Sequence, residues 1–151
     1  DETGNLTTAN STLKTNLKTW ISQYKMISDT VDILDATIIN FGIEYEVLTD
    51  MESNRFDVIN KCTAALAAKF AEKFDIGESI LITDIYRQIQ KVPGVVDVSS
   101  VEITLKSGGI YSDSGYSFAT ALTGDGRQIL GEKNTIFELK YPNIDIKGSI
   151  K

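Results

Sequence analysis

The most regular pattern in the chain lies between Thr37 and Leu48, where apolar and polar positions alternate without a break. Ile39, Phe41, Ile43, Tyr45 and Val47 share one side of an extended chain, and Asn40, Gly42, Glu44 and Glu46 share the other. This spacing predicts a strand with one buried and one wet face. Elsewhere the apolar residues recur at steps of three and four. Leu13, Leu17, Trp20, Ile21 and Tyr24 form a helical stripe behind Asn10 or Ser11 as N-cap. Phe56, Ile59, Cys62, Leu66, Phe70 and Phe74 form a longer stripe, which predicts a helix over 54–74. Asn54 caps it with Asp57 at the N3 position, Lys69 and Lys73 suit its negative end, and Gly77 closes it. Alanines at 64, 65, 67 and 68 keep its flanks small, as close packing on a sheet requires.

The stretch from Ser79 to Lys106 changes period midway. After a short apolar strand at Ile80, the residues Ile82, Ile85, Ile89 and Val92 have helical spacing, and Val101, Ile103 and Leu105 alternate. Pro93 ends the helix, drives Val92 to an extended conformation, and is followed by Gly94 as a turn residue. Val96 and Val98 have the opposite parity to Val101, Ile103 and Leu105, so a β-bulge at Ser99-Ser100 is expected to restore one inward face and keep Asp97 outside. Beyond Lys106, Gly108, Gly109, Gly115, Gly124, Gly126 and Gly131 lie among Ser, Asp and Tyr. An irregular Gly-rich extension is expected there, with a hairpin at Asp125-Gly126 between Ala121-Leu122 and Ile129-Leu130. A last strand is expected over 136–141, stopped by Pro142-Asn143. The elements add up to an α+β fold: a small mixed or antiparallel sheet, in which 38–47 pairs with 95–105, with helices packed on one face. Residues 1–10 are polar and read as a flexible lead-in, and 11–151 as one domain.

Composition removes several classes of function. The 151 residues contain no histidine, and with it go the commonest general base and the usual zinc ligand. The single cysteine, Cys62, lies on the apolar stripe of a helix and reads as a buried, inert thiol. Lys and Arg number 15 against 21 Asp and Glu, and the basic residues are scattered, so no face is expected to bind nucleic acid. No apolar run reaches membrane-spanning length. Neither Gly124 nor Gly131 begins a phosphate-binding loop, and Asp113, Asp125 and Glu132 do not match a calcium-loop spacing. Glu44 and Glu46 are weighed as a carboxylate pair and read as an ordinary solvent-facing couple. Asp29, Asp32 and Asp35, spaced by three, read as a solvated helix edge. No metal or other cofactor is expected. The first residue is Asp1 rather than Met, and the chain is expected to be a carboxy-terminal piece of a longer protein.

The run from Ile80 to Val101 (a short strand, a small helix, Val92-Pro93-Gly94-Val95, then Val98, Val101 and Ile103) resembles the carboxy-terminal part of the baseplate J-like family. These are wedge proteins of contractile phage tails and related injection machines. The early amphipathic helix followed by Ile27-Ser28-Asp29, the Ala-rich helix, Gly77-Glu78 and the closing stretch from Phe137 to Gly148 extend the likeness over 13–151. The resemblance implies a structural virion protein without an active site. Such a domain would self-associate, as a homodimer and then as a ring, and bind other baseplate wedge proteins. It would reside in the tail baseplate, after assembly in the host cytoplasm, and rearrange when the sheath contracts. Two other readings stand beside it: a regulatory α+β module binding a small molecule, and a hydrolase using carboxylates of the Gly-rich tail.

The residues themselves carry one argument for association. The predicted sheet has a single core face, which the helices over 54–74 and 82–89 can cover, so the stripe of Leu13, Leu17, Trp20, Ile21 and Tyr24 is surplus. Either it docks on a partner or it folds back to complete the core. Trp20 and Tyr24 are the expected anchors of a two-fold dimer, with Tyr111 and Tyr116 of the tail as second candidates.

Overall fold

The computed structural model describes residues 4–151. In chain order the elements are α1 (Ser11–Ser22), β1 (Thr37–Thr49), α2 (Arg55–Lys69), β2 (Ile80–Leu81), α3 (Ile82–Gln90), β3 (Val95–Lys106), α4 (Phe118–Ala121), β4 (Gln128–Ile129), β5 (Thr135–Glu138), α5 (Pro142–Asp145) and β6 (Ile146–Ile150). The fold is α+β. β1 is the centre of a mixed sheet, antiparallel to β3 on one edge and parallel to both β5 and β6 on the other. β5 lies along Thr37–Asn40 and β6 along Ile43–Val47, so the two run in line, separated by the loop that carries α5. Pro142 supplies the preset φ for the first turn of α5 and has no amide to donate to the ladder. This interruption is why 136–141 read as a terminal strand and β6 went unrecognised.

The predicted inward set of β1 is the core: Ile39, Phe41, Ile43, Tyr45 and Val47 are all buried. Phe41 sits against the rings of Phe70, Phe74 and Phe137 at centroid distances of 5.8, 5.9 and 6.4 Å, in edge-to-face geometry. α2 covers this face with Val58, Cys62 and Leu66, and α3 with Ile82, Ile85 and Ile89. The Tyr45 hydroxyl reaches α2, within 3.1 Å of both the Ile59 carbonyl and Thr63 Oγ1. α2 is shorter than its stripe suggested. Phe70 caps it, and Phe74 enters the core from the following loop. Its inward row begins at Val58 rather than Phe56, which is 80% exposed. Asn54 caps it as expected, accepting the Phe56 amide at 3.0 Å.

The bulge in β3 falls where the parity change required it. Glu46 faces Ser100 and Val47 faces Val98, so Ser99 is the extra residue. A second irregularity leaves out Val96, which therefore turns outward and is 62% exposed, while Val95 packs on the core. The hairpin at Asp125-Gly126 is also present: the Gly126 amide donates to the Thr123 carbonyl at 2.8 Å, Gly126 takes φ +69°, Leu122 bridges Ile129 antiparallel, and the Leu130 amide donates to the Ala121 carbonyl at 2.9 Å; β4 also pairs antiparallel with β2.

The second face of β1 differs from expectation. Asn40 and Gly42, whose parity predicts a wet surface, are both buried. The segments after Lys106 return over them. Asn40 Oδ1 accepts the Ser112 amide at 2.7 Å, and its Nδ2 donates to Glu138 Oε2 at 2.9 Å. Gly42 lies so close to the Asp145 carbonyl and the Lys106 side chain that a Cβ there would meet both at under 3 Å. Alternation reports only that two faces differ; it cannot show that a distant segment will cover the polar one. Residues 1–3 of the expected lead-in lie outside the described residues. Further along it, the Leu6 amide donates to Glu138 Oε1 at 2.6 Å.

Candidate interaction surface

α1 begins at Asn10, whose side chain accepts the Leu13 amide at 2.8 Å, as the sequence suggested. No residue of α1 is buried. Leu13, Leu17, Trp20 and Tyr24 are exposed, Trp20 at 59% and Tyr24 at 73%, and Ile21 is half-buried. α1 stops at Ser22, so Tyr24 belongs to the turn after it; the Trp20 and Tyr24 rings lie 5.1 Å apart, tilted by 54°, and form one aromatic pair. The core of the sheet closes without this helix, and a helix whose apolar stripe meets water gains nothing from tertiary burial.

What holds α1 is the connection that follows it. Asp32 and Asp35 were expected on a helix edge, but 29–36 is not helical. There Lys14 pairs with Asp35, and Lys18 pairs with Asp32 at 3.5 Å. Exposed pairs of this kind contribute little stability, about 0–1 kcal/mol each, so they orient α1 more than they fix it. The same connection displays Met26, Ile27 and Leu34 to solvent. These residues are exposed apolar side chains outside the predicted stripe. Their irregular spacing among Asp and Thr gave no periodic signal to find them by.

Tyr111 and Tyr116, the second pair of candidate anchors, are not brought to this surface. The Tyr111 hydroxyl donates to Asp145 Oδ1 at 2.6 Å and its ring packs on Tyr141 at 5.8 Å. The Asp145 carboxylate pushes the Tyr111 phenol up to about 12. Tyr116 donates to the Leu130 carbonyl at 2.6 Å and packs on Phe118 and Phe137. Burial raises its phenol too. Both rings serve the chain's own packing by tying the Gly-rich segment down.

Two buried carboxylates escaped the reading of the sequence. Glu138, 2% exposed, accepts from Leu6, Asn40 and, at 3.3 Å, Lys73 Nζ. Asp145, fully buried, accepts from the Tyr111 hydroxyl and the Tyr141 amide. Glu138 is met by donors from three distant segments, and Asp145 by one distant donor, Tyr111, and one local donor, the Tyr141 amide; donors of this kind make a buried carboxylate tolerable. They act as clamps: Glu138 gathers the N-terminal segment and the chain after α2, and Asp145 gathers the loop after β3. Neither adjoins the other carboxylates singled out from the sequence. Glu44 faces Lys147 across one strand and Glu102 across the other, and Glu46 lies 3.9 Å from Lys151. Asp125 is held below the usual carboxylate range by its hydrogen bond from Thr123, within its own turn. Asp113 and Glu132 do not join it.

A cavity of about 410 Å³ opens beside Tyr116, walled by Thr37, Thr120, Leu130 and Thr135, with Glu132 as its one carboxylate among the described residues. Among the described residues no three Asp, Glu or Cys side chains converge at metal-holding distance. Cys62 is buried, and desolvation pushes its thiol up to about 11. Among the described residues no helix is long and apolar enough to cross a membrane. The chain matches no protein-family model, and no curated protein is significantly similar to it.

Proposed function

We propose that this chain is an oligomerisation domain of a contractile-tail baseplate wedge protein, a structural part of the virion rather than an enzyme. The observation that carries this reading is α1, an amphipathic helix with an aromatic pair at its end and no buried residue. Leu13, Leu17, Trp20, Ile21 and Tyr24 are the contact set, and the natural occupant is a copy of the same chain or a neighbouring wedge protein. A two-fold dimer is the simplest closed form, and larger rings follow when a second surface engages. The family likeness of Ile80 to Val101 supports the baseplate assignment, and the absence of histidine from the chain supports a non-catalytic role. The test is solution mass by sedimentation over a wide concentration range. The reading expects mass to rise with concentration, and a strictly monomeric protein at every concentration refutes it.

A further inference from the structure

The sheet leaves one long edge open. β3 pairs with β1 on one side only, and among the described residues no strand lies beyond it. Natural sheets commonly blunt such edges with bulges or repelling charges, because unpaired backbone groups invite another strand. Both irregularities of β3 lie in its first half; from Ser100 to Lys106 its register with β1 is unbroken. Along this regular half Val101, Ile103 and Leu105 face the core, and Glu102, Thr104 and Lys106 face the other side. The outer triplet carries opposite charges placed symmetrically about a threonine.

We propose that β3 pairs antiparallel with β3 of a second copy about a two-fold axis through Thr104. This rests on the assembly reading above and adds to it a second surface with a stated register. In that register Glu102 faces Lys106 of the other copy twice, Ile103 faces Leu105 twice, and Thr104 faces itself. The pairing is isologous, and it makes one continuous sheet with β3 strands side by side at its centre.

Two features of the single chain point to this occupant. The first is charge. Glu102 stands directly across from Glu44, an unfavourable like-charged pair, and Glu44 in turn faces Lys147. Among the described residues neither Glu102 nor Lys106 has an ion-pair partner. Lys106 of a second copy, beside Glu102, completes a row of Lys147, Glu44, Glu102 and Lys106 in which each carboxylate has a cation next to it. The second feature is Thr104, whose Oγ1 is buried without a hydrogen-bond partner among the described residues. It sits above Gly42, and the Lys106 side chain leans over the same glycine. In the single chain the hydroxyl leans toward Gly42 and β1; in the pair, rotation of the Thr104 side chain about χ1 brings it to the two-fold axis, where the matching hydroxyl can pair with it.

Charge reversal tests the register. Glu102→Lys places like charges opposite Lys106, and Lys106→Glu does the same opposite Glu102; each should raise the self-dissociation constant by about tenfold or more. The double variant E102K/K106E restores opposite charges across the axis and should return to the parent value. Single variants that associate as the parent does, or a double variant no better than the singles, overturn the inference. Thr104→Cys supplies a second measurement, because facing positions on antiparallel strands lie about 4.5–5.5 Å apart, within disulfide reach. Mild oxidation should link it into a covalent dimer, whereas Leu105→Cys and the parent with its buried Cys62 should stay unlinked. Absence of that dimer at concentrations where the parent associates overturns the inference as well. Trp20→Ala is run alongside. If it abolishes association while both charge variants leave it intact, the β3 pairing falls and the assembly role stands; a parent that is monomeric throughout removes both.

Discussion

Replacing Trp20 by alanine separates an interface helix from a core helix by two magnitudes that move in opposite directions. Within the chain the indole's ring neighbour is Tyr24, 5.1 Å away in the turn that follows α1, and no residue of α1 is buried. A local aromatic pair on a helix surface contributes about 0.2–0.5 kcal/mol. At about 2–4 °C per kcal/mol for a domain of this size, the melting temperature should fall by no more than about 2 °C. Had the stripe completed the core, the truncation would cost about 3–5 kcal/mol and lower the melting temperature by about 6–20 °C. Association responds the other way. An aromatic anchor of an interface is worth about 2 kcal/mol or more, so the dissociation constant should rise about thirtyfold. Differential scanning calorimetry at low concentration reads the first quantity and sedimentation equilibrium the second. A drop of about 10 °C with unchanged mass would refute the interface and return α1 to the fold.

Phe41→Ala removes the ring around which Phe70, Phe74 and Phe137 meet and should cost about 3–5 kcal/mol, read as a lower urea midpoint. Tyr45 sets an alkaline limit. Burial pushes its phenol up from 10.0 to about 12, so the unfolded chain releases its proton first and stability falls as pH rises from about 10 to 12. Urea midpoints across that range should show the decline, and Tyr45→Phe should flatten it in part, since Tyr111 is raised to the same region by Asp145.

Local periodicity by itself determined where most elements lie and which way their side chains point. The alternation in β1 set its five core residues, Asn10 and Asn54 announced their helices, and the parity change before Val101 located the bulge at Ser99, because each of these signals depends only on residues a few positions apart. The surplus of the α1 stripe was legible for the same reason: the core residues could be counted, and the sheet had no face left for it. What required the tertiary structure is everything set by long-range return of the chain. Asn40 and Gly42 look solvent-facing until Ser112 and Asp145 arrive from more than seventy residues away. Glu138 and Asp145 look like surface acids until donors from distant segments, Leu6 and Asn40 for the first and Tyr111 for the second, reach them. β6 completes an edge that β5 begins, with a proline between them that reads locally as an end. Burial of a polar group is a property of what packs on it, and neither its own identity nor its neighbours in sequence carry that information.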